Sequence, residues 1–306
     1  MGYAVVVGCI NIDLWGRSFR PLTERDSNPG EIRCSMGGVG RNIAHNMRLL
    51  GMDVKLLTAI ADDRFERDID DSCAALGLDI SGSARVKGGS NGCYMFISGP
   101  DGDMRLAVSD MSIAESITPE LIDAQLDMLC GAELIVIDGN LRADTIERIA
   151  SRVSAPIFAD PVSAAKARSL APHLDKLYAV KPNGLEARTL TGEADPLRTA
   201  AALHAAGVRR AYVTAGAGGL AVAAENRCFT VPAMPCTLVN ATGGGDAFMA
   251  ALCRAYTDGL DAEASARFAL AAGALAVECA ETINPAMSLE AVRRRMETYN
   301  SGGKDE

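Results

Sequence analysis

Residues 134–160 read LIVIDGNLRADTIERIASRVSAPIFAD. Leu134-Ile135-Val136-Ile137 has no polar alternation, so a strand there would be buried on both faces. Gly139-Asn140 supplies turn residues, 143–152 has the spacing of a helix, and Ile157-Phe158-Ala159-Asp160 is a second short apolar run. Strand, helix, strand in this order is the repeating unit of a doubly wound, mostly parallel α/β sheet flanked by helices. The rhythm extends outward through Val5-Val6-Val7, Val54-Lys55-Leu56-Leu57 and Ala211-Tyr212-Val213-Thr214 as strands, with 41–50, 119–130 and 196–206 as helices. From Thr242 onward the chain reads as helical, over 247–256, 262–278 and 289–299.

Two stretches break the rhythm. One is 13–35; in the other, 92–110, Cys93 to Ser98 and Met104 to Ser109 flank the turn Pro100-Asp101-Gly102-Asp103, as in a hairpin. They predict a small β-sheet lid over the carboxyl edge of the main sheet, where open α/β folds bind ligands. The expected organisation is a discontinuous core of 1–12, 36–91 and 111–300, a lid of 13–35 and 92–110, and a disordered tail at 301–306.

Composition narrows the partners. The 306 residues are 48% hydrophobic and 23% charged, which suits a globular chain with a large core. A net charge of -9 argues against nucleic acid and anionic membrane surfaces as partners, since both reward clustered Lys and Arg. The nine cysteines are scattered and never spaced Cys-x-x-Cys, and no stretch reaches the roughly 18 apolar residues of a membrane span, so a cytoplasmic setting is expected.

The richest local signal is Thr242-Gly243-Gly244-Gly245-Asp246, running into Ala247-Phe248-Met249. Three glycines at a helix start leave backbone N–H groups free to converge on a phosphate, and Asp246 there could take a hydroxyl proton. A turn with Asp246 as an ordinary N-cap fits equally well. Gly37-Gly38-Val39-Gly40-Arg41-Asn42 likewise opens a helix, and Asn42 offers both a donor and an acceptor to a polyol. Asn11 and Asp13 follow the first strand and project from one side of it, either as hydroxyl ligands or as loop residues.

Lys181-Pro182-Asn183-Gly184-Leu185-Glu186 has the spacing of a capping box, and also suits a pair that organises Mg²⁺ through water beside phosphates. Thr214-Ala215-Gly216-Ala217-Gly218-Gly219-Leu220-Ala221 contains Gly-x-Gly-x-x-Ala, but Leu220 to Ala224 looks like a strand, whereas the dinucleotide fingerprint needs a helix. A phosphate-facing glycine loop fits better. No Gly-x4-Gly-Lys-Ser/Thr and no Gly-x-Ser-x-Gly occurs, and His45, His173 and His204 lack metal-ligand spacing. Trp15 suits lid packing and a stacking platform alike.

Together and in this order, Asn11-Ile12-Asp13, Gly37-Gly38 with Asn42, Asn183 to Glu186, Thr214-Ala215-Gly216 and Thr242 to Asp246 resemble the ribokinase or PfkB-type carbohydrate kinases over nearly the whole chain. Asp26-Ser27-Asn28-Pro29-Gly30, 36–44 and Asp110-Met111 look most like the bacterial pseudouridine kinase subgroup. The resemblance implies a ribokinase-like fold and an ATP- and Mg²⁺-dependent kinase acting on a sugar or nucleoside hydroxyl. It further implies Asp246 as base with Gly243, Gly244 and Gly245 as anion hole, and an acceptor held by Asn11, Asp13, Gly37, Gly38 and Asn42, with Asp26, Asn28 and Tyr94 as specificity candidates. ATP would lie along Lys181, Asn183, Glu186, Thr214, Gly216, Gly219, Thr242, Gly243 and Asn284, with Mg²⁺ reached through water from Asn183 and Glu186, and the lid would pair two copies. Asn240 stands where the family usually has Asp, which argues against potassium activation, and Gly244 replaces its usual Ala. The remaining readings are a ribokinase, fructokinase or purine nucleoside kinase, then a NAD(P)-dependent oxidoreductase or a non-catalytic nucleotide-binding regulator.

Overall fold

A computed structural model describes residues 2–302. Its strands are β1 (Ala4–Val7), β2 (Asn11–Ser18), β3 (Gly30–Gly37), β4 (Val54–Leu57), β5 (Ala59–Ala61), β6 (Ala84–Val86), β7 (Gly92–Ser98), β8 (Met104–Asp110), β9 (Leu134–Asp138), β10 (Ile157–Asp160), β11 (Leu177–Val180), β12 (Arg210–Thr214), β13 (Leu220–Ala224) and β14 (Arg227–Val231).

The main sheet has the order β14-β13-β12-β11-β10-β9-β1-β4. Strands β4, β1, β9, β10, β11 and β12 are parallel; β13 and β14 continue antiparallel at one edge. The apolar runs behave as strands buried on both faces must. Val6, Val136, Phe158 and Ala179 enter one hydrophobic cluster, while Val5, Val7, Ile135, Ile137, Ile157, Ala159 and Val180 enter the other. Helices Val39–Leu49, Gly244–Thr257 and Ala262–Val277 cover the first face, and Ala143–Arg152 and Pro196–Ala205 the second.

A separate four-stranded sheet has the order β3-β2-β7-β8. Strand β2 pairs antiparallel with β3 and parallel with β7, and β7 and β8 form a hairpin. Asn11, Ile12, Met36 and Gly37 lie in these strands, so the sheet takes in residues that the expected boundaries leave to the core. The chain leaves the carboxyl end of β1 through Gly8-Cys9-Ile10 and returns through Gly37-Gly38 into helix Val39–Leu49. Gly38 makes that return at φ 100, and a Cβ there would stand 2.4 Å from the Cys9 carbonyl oxygen.

Two expectations need correction. The helix expected over 119–130 is divided at Gln125 (φ -109, ψ 17) into Pro119–Ala124 and Leu126–Cys130. The last helix, Leu289–Gly302, runs past the expected start of the tail at Ser301, and residues 303–306 lie outside the described part.

Candidate active site

Three neighbouring strands end in buried charge. Asp138 closes β9, Asp160 closes β10 in register with it, and Lys181 follows β11; their exposures are 0%, 3% and 7%. Apolar strands exclude water up to their last residue, so these groups must satisfy one another or the adjoining loops. Asp138 accepts from the backbone N–H groups of Cys9 (2.8 Å), Gly40 (3.2 Å) and Asn140 (2.9 Å). Burial nevertheless holds its pKa above the usual carboxylate value. Lys181 Nζ lies 2.9 Å from Asp160 Oδ2. Burial works against the lysine's charge, but the carboxylates of Asp160, Asp246 and Glu186 outweigh it and raise the pKa.

Asp246 sits over this row. The N-cap of helix Gly244–Thr257 is Gly243, at φ 84 and without a side-chain cap bond. Only glycine fits there, because a Cβ would stand 1.9 Å from the Thr282 carbonyl oxygen. Asp246 is therefore not the cap. It lies in the first helical turn, and its Oδ2 accepts from Asn42 Nδ2 at 3.0 Å. Burial, then the negative charge of Asp160, raise its pKa to about 7, against the opposing effects of Lys181 and Asn42. A carboxylate tuned near neutrality can exchange a proton with a hydroxyl. A Cβ on Gly245 would stand 2.7 Å from Lys181 Nζ, so the uncapped helix start and the lysine face one space. Free N–H groups, a helix dipole and a cation suit a polyphosphate.

On the other side, Asn11 Nδ2 donates to Asp13 Oδ1 at 2.6 Å, and Asn42 links this region to Asp246. Gly37 lies opposite Asn11 across β2 and β3, with its α-carbon against the Asp13 carboxylate. Tyr94 pairs with Asp13 in the sheet, its hydroxyl 3.5 Å from Met104 Sδ. The structure thus brings Asn11, Asp13, Gly37, Gly38 and Asn42 together at one end of the small sheet, while the Tyr94 hydroxyl is directed away from it, to Met104 at the turn end of β8. Asp26 and Asn28 are elsewhere. They sit in the loop beyond Ser18, at the far end of β2, where Asn28 bonds Thr23 and Asp26, so they do not reach Asp246 of the same chain.

The capping reading of Asn183 holds in full. Asn183 Oδ1 accepts from Leu185 and Glu186 N–H at 3.0 Å each, and Glu186 accepts from Asn183 N and Nδ2 at 2.8 Å each. Each Glu186 oxygen thereby accepts one hydrogen bond; among the described residues no cluster of acidic, His or Cys side chains forms a metal site by itself. Thr214 bridges to Asn183 at the end of β12, and Gly216 to Gly219 turn directly into β13, leaving no place for a dinucleotide-binding helix. Asn240 accepts from Thr242 N–H (2.9 Å) and donates to Ala280 O (3.0 Å), and Asn284 donates to Leu275 O (2.7 Å), each bracing the loops around the glycine turn.

Sequence reasoning missed Asp138 and Asp160 as site residues, and with them Asn140 and Lys166, which touch each other after β9 and β10. A charged residue closing an all-apolar run was the available signal.

A parallel sheet with a buried carboxylate over an uncapped glycine-led helix, flanked by a small polar-faced sheet, defines a small-molecule kinase of the ribokinase-like fold. The chain belongs to the pfkB family of carbohydrate kinases, whose family model matches residues 1–289. It is 34% identical over 296 residues to the pseudouridine kinase of Escherichia coli K12, covering 94% of each chain. The ribokinase structure of Thermotoga maritima superposes with a TM-score of 0.86 at 22% identity, covering 97% of this chain and 100% of that one. Arabidopsis thaliana ribokinase, solved with ribose and ATP, gives 0.84 at 22% identity over 97% and 99%. Among the described residues no helix is long and apolar enough to cross a membrane.

Proposed function

We propose that this kinase transfers the γ-phosphoryl group of MgATP to the 5′-hydroxyl of pseudouridine. The observation that carries the chemistry is the Asp246 carboxylate, held by Asn42 in the first turn of an uncapped helix facing Lys181. Similarity to the Escherichia coli enzyme supports the acceptor.

In this reading Asn11, Asp13, Gly37, Gly38 and Asn42 hold the ribose. Asp246 takes the proton as the 5′-oxygen forms its bond to Pγ and the bond from Pγ to the β,γ-bridging oxygen breaks, releasing ADP. The N–H groups of Gly244 and Gly245, with Lys181, hold the charge spread over the transferring oxygens, the main demand of phosphoryl transfer. Mg²⁺ enters with ATP as part of the substrate and supplies charge neutralisation between the phosphates. Asn183, Glu186, Thr214 and Gly216 flank the nucleotide. The small sheet acts as a lid that keeps water from the γ-phosphate. Its outward face, with Ile32 82%, Leu106 61% and Val108 57% exposed, pairs with a second copy. The nine thiols are unpaired, which suits the cytoplasm, where MgATP is supplied.

The deciding experiment is initial rates with MgATP against pseudouridine, uridine, ribose, fructose and adenosine. Pseudouridine is expected to give the highest kcat/KM; a clear preference for ribose would move the chain to the ribokinases, and for adenosine to the purine nucleoside kinases.

A further inference from the structure

Arg41 is 9% exposed and, among the described residues, forms no ion pair. Burying an arginine with no carboxylate in ion-pair contact, Asp13 acting on it only from further off, costs free energy that ordinary packing does not require. Three of its five donors are directed: Nη1 to the Met36 carbonyl (3.2 Å) and to Asn42 Oδ1 (3.3 Å), and Nη2 to Ser72 Oγ (3.4 Å). Asn42 then donates from Nδ2 to Asp246 Oδ2 at 3.0 Å. A guanidinium can only donate, so the amide atom facing it must be the oxygen, and the nitrogen is left to face Asp246.

We propose that Arg41 is a positioning residue for phosphoryl transfer: it locks the Asn42 amide in the one orientation that aims an N–H at the Asp246 carboxylate. This rests on the reading of Asp246 as the base. Without Arg41 only the carboxylate itself would hold the amide N–H toward it, and the turned orientation, whose oxygen repels the ionised form and misdirects the lone pair that takes the proton, would be more populated. The charged and titratable groups around Asp246 are Asp160, Lys181 and Asp138, and those around Arg41 are Asp13, Cys73 and His45. Burial and Arg41 together push His45 down to about 4, so it stays neutral at working pH and adds no competing charge.

The test is a double-mutant cycle on the full-length enzyme, reading kcat against pH. Arg41→Met is expected to lower kcat roughly tenfold, the scale of one hydrogen bond's worth of orientation, and to move the acidic limb of the profile to higher pH, with KM for ATP unchanged. Asn42→Ala should move the limb the same way, and Arg41→Met/Asn42→Ala should be no worse than Asn42→Ala alone, because Arg41 acts through the amide. If the methionine variant does not fold, Arg41→Lys takes its place in the cycle, since a lysine cannot span Met36, Asn42 and Ser72 at once. Effects that multiply, or a loss of melting temperature with the acidic limb unmoved, would make Arg41 a structural clasp and overturn the proposal. The underlying reading fails separately, if Asp246→Asn keeps wild-type turnover.

Discussion

At the scale of single residues, Asp246 ties function to cost. Its pKa is raised from 3.8 to about 7, so ionising it opposes folding: the penalty is absent below pH 3.8, grows between there and pH 7, and is constant above. Asp246→Asn removes the penalty with the base. The variant should lose roughly 10²- to 10⁴-fold in kcat and yet melt above the wild type, the gap widening up to pH 7. Wild-type kcat should fall as pH drops through about 7, since the base must be ionised. Assays of turnover and melting at pH 5, 7 and 8 check both; a variant that melts lower at pH 8 would show that the charge is compensated in the fold. The sequence named Asp246 but could not separate a base from a cap. The positive φ of Gly243, which takes the capping position, sets the cap reading aside, and the proposed base role leans on the contact to Asn42, a pairing set by the tertiary fold.

At the scale of elements, helix Gly184–Thr191 shows what a complete capping box holds together. The Asn183 cap is worth about 1 kcal/mol, and leaving the buried Glu186 carboxylate short of its partners about 1–3 more. Asn183→Ala should therefore lower the melting temperature by several degrees, while Asn183→Ser, which caps and keeps the backbone N–H bond to Glu186 but loses the one from Nδ2, recovers only part. Thermal melts of the pair with the wild type decide it; equal melting of all three would mean the box contributes nothing. The helix start was legible because capping chemistry is local. Strand β11 was not picked out, although Leu177–Val180 lies centrally in the sheet, because four residues with a tyrosine among them give too short a periodic signal. The parallel pairing of β2 with β7, Asn11 opposite Gly92, is non-local and leaves no trace in either strand.

At the scale of the whole molecule, the alternation of apolar runs and helices was enough to read the layered sheet, since burial on both faces imprints itself on every parallel strand. The convergence of β9, β10 and β11 on one charged row was not, because it depends on strand order. The apolar outer face of the small sheet carries a further expectation. Ile32→Asp should convert a dimer to a monomer in multi-angle light scattering, with Asp246 and its neighbours untouched; a wild type that is already monomeric at micromolar concentration would sink the pairing. Asn11 stands opposite both Gly37 and Gly92, and Cys93 opposite Ile12 and Asp110, so every excursion into the small sheet leaves and re-enters within two adjacent rungs. Such a layout makes the sheet an exchangeable cassette. Its interior can be lengthened, shortened or recombined between homologous genes without shifting the register of any strand in the main sheet.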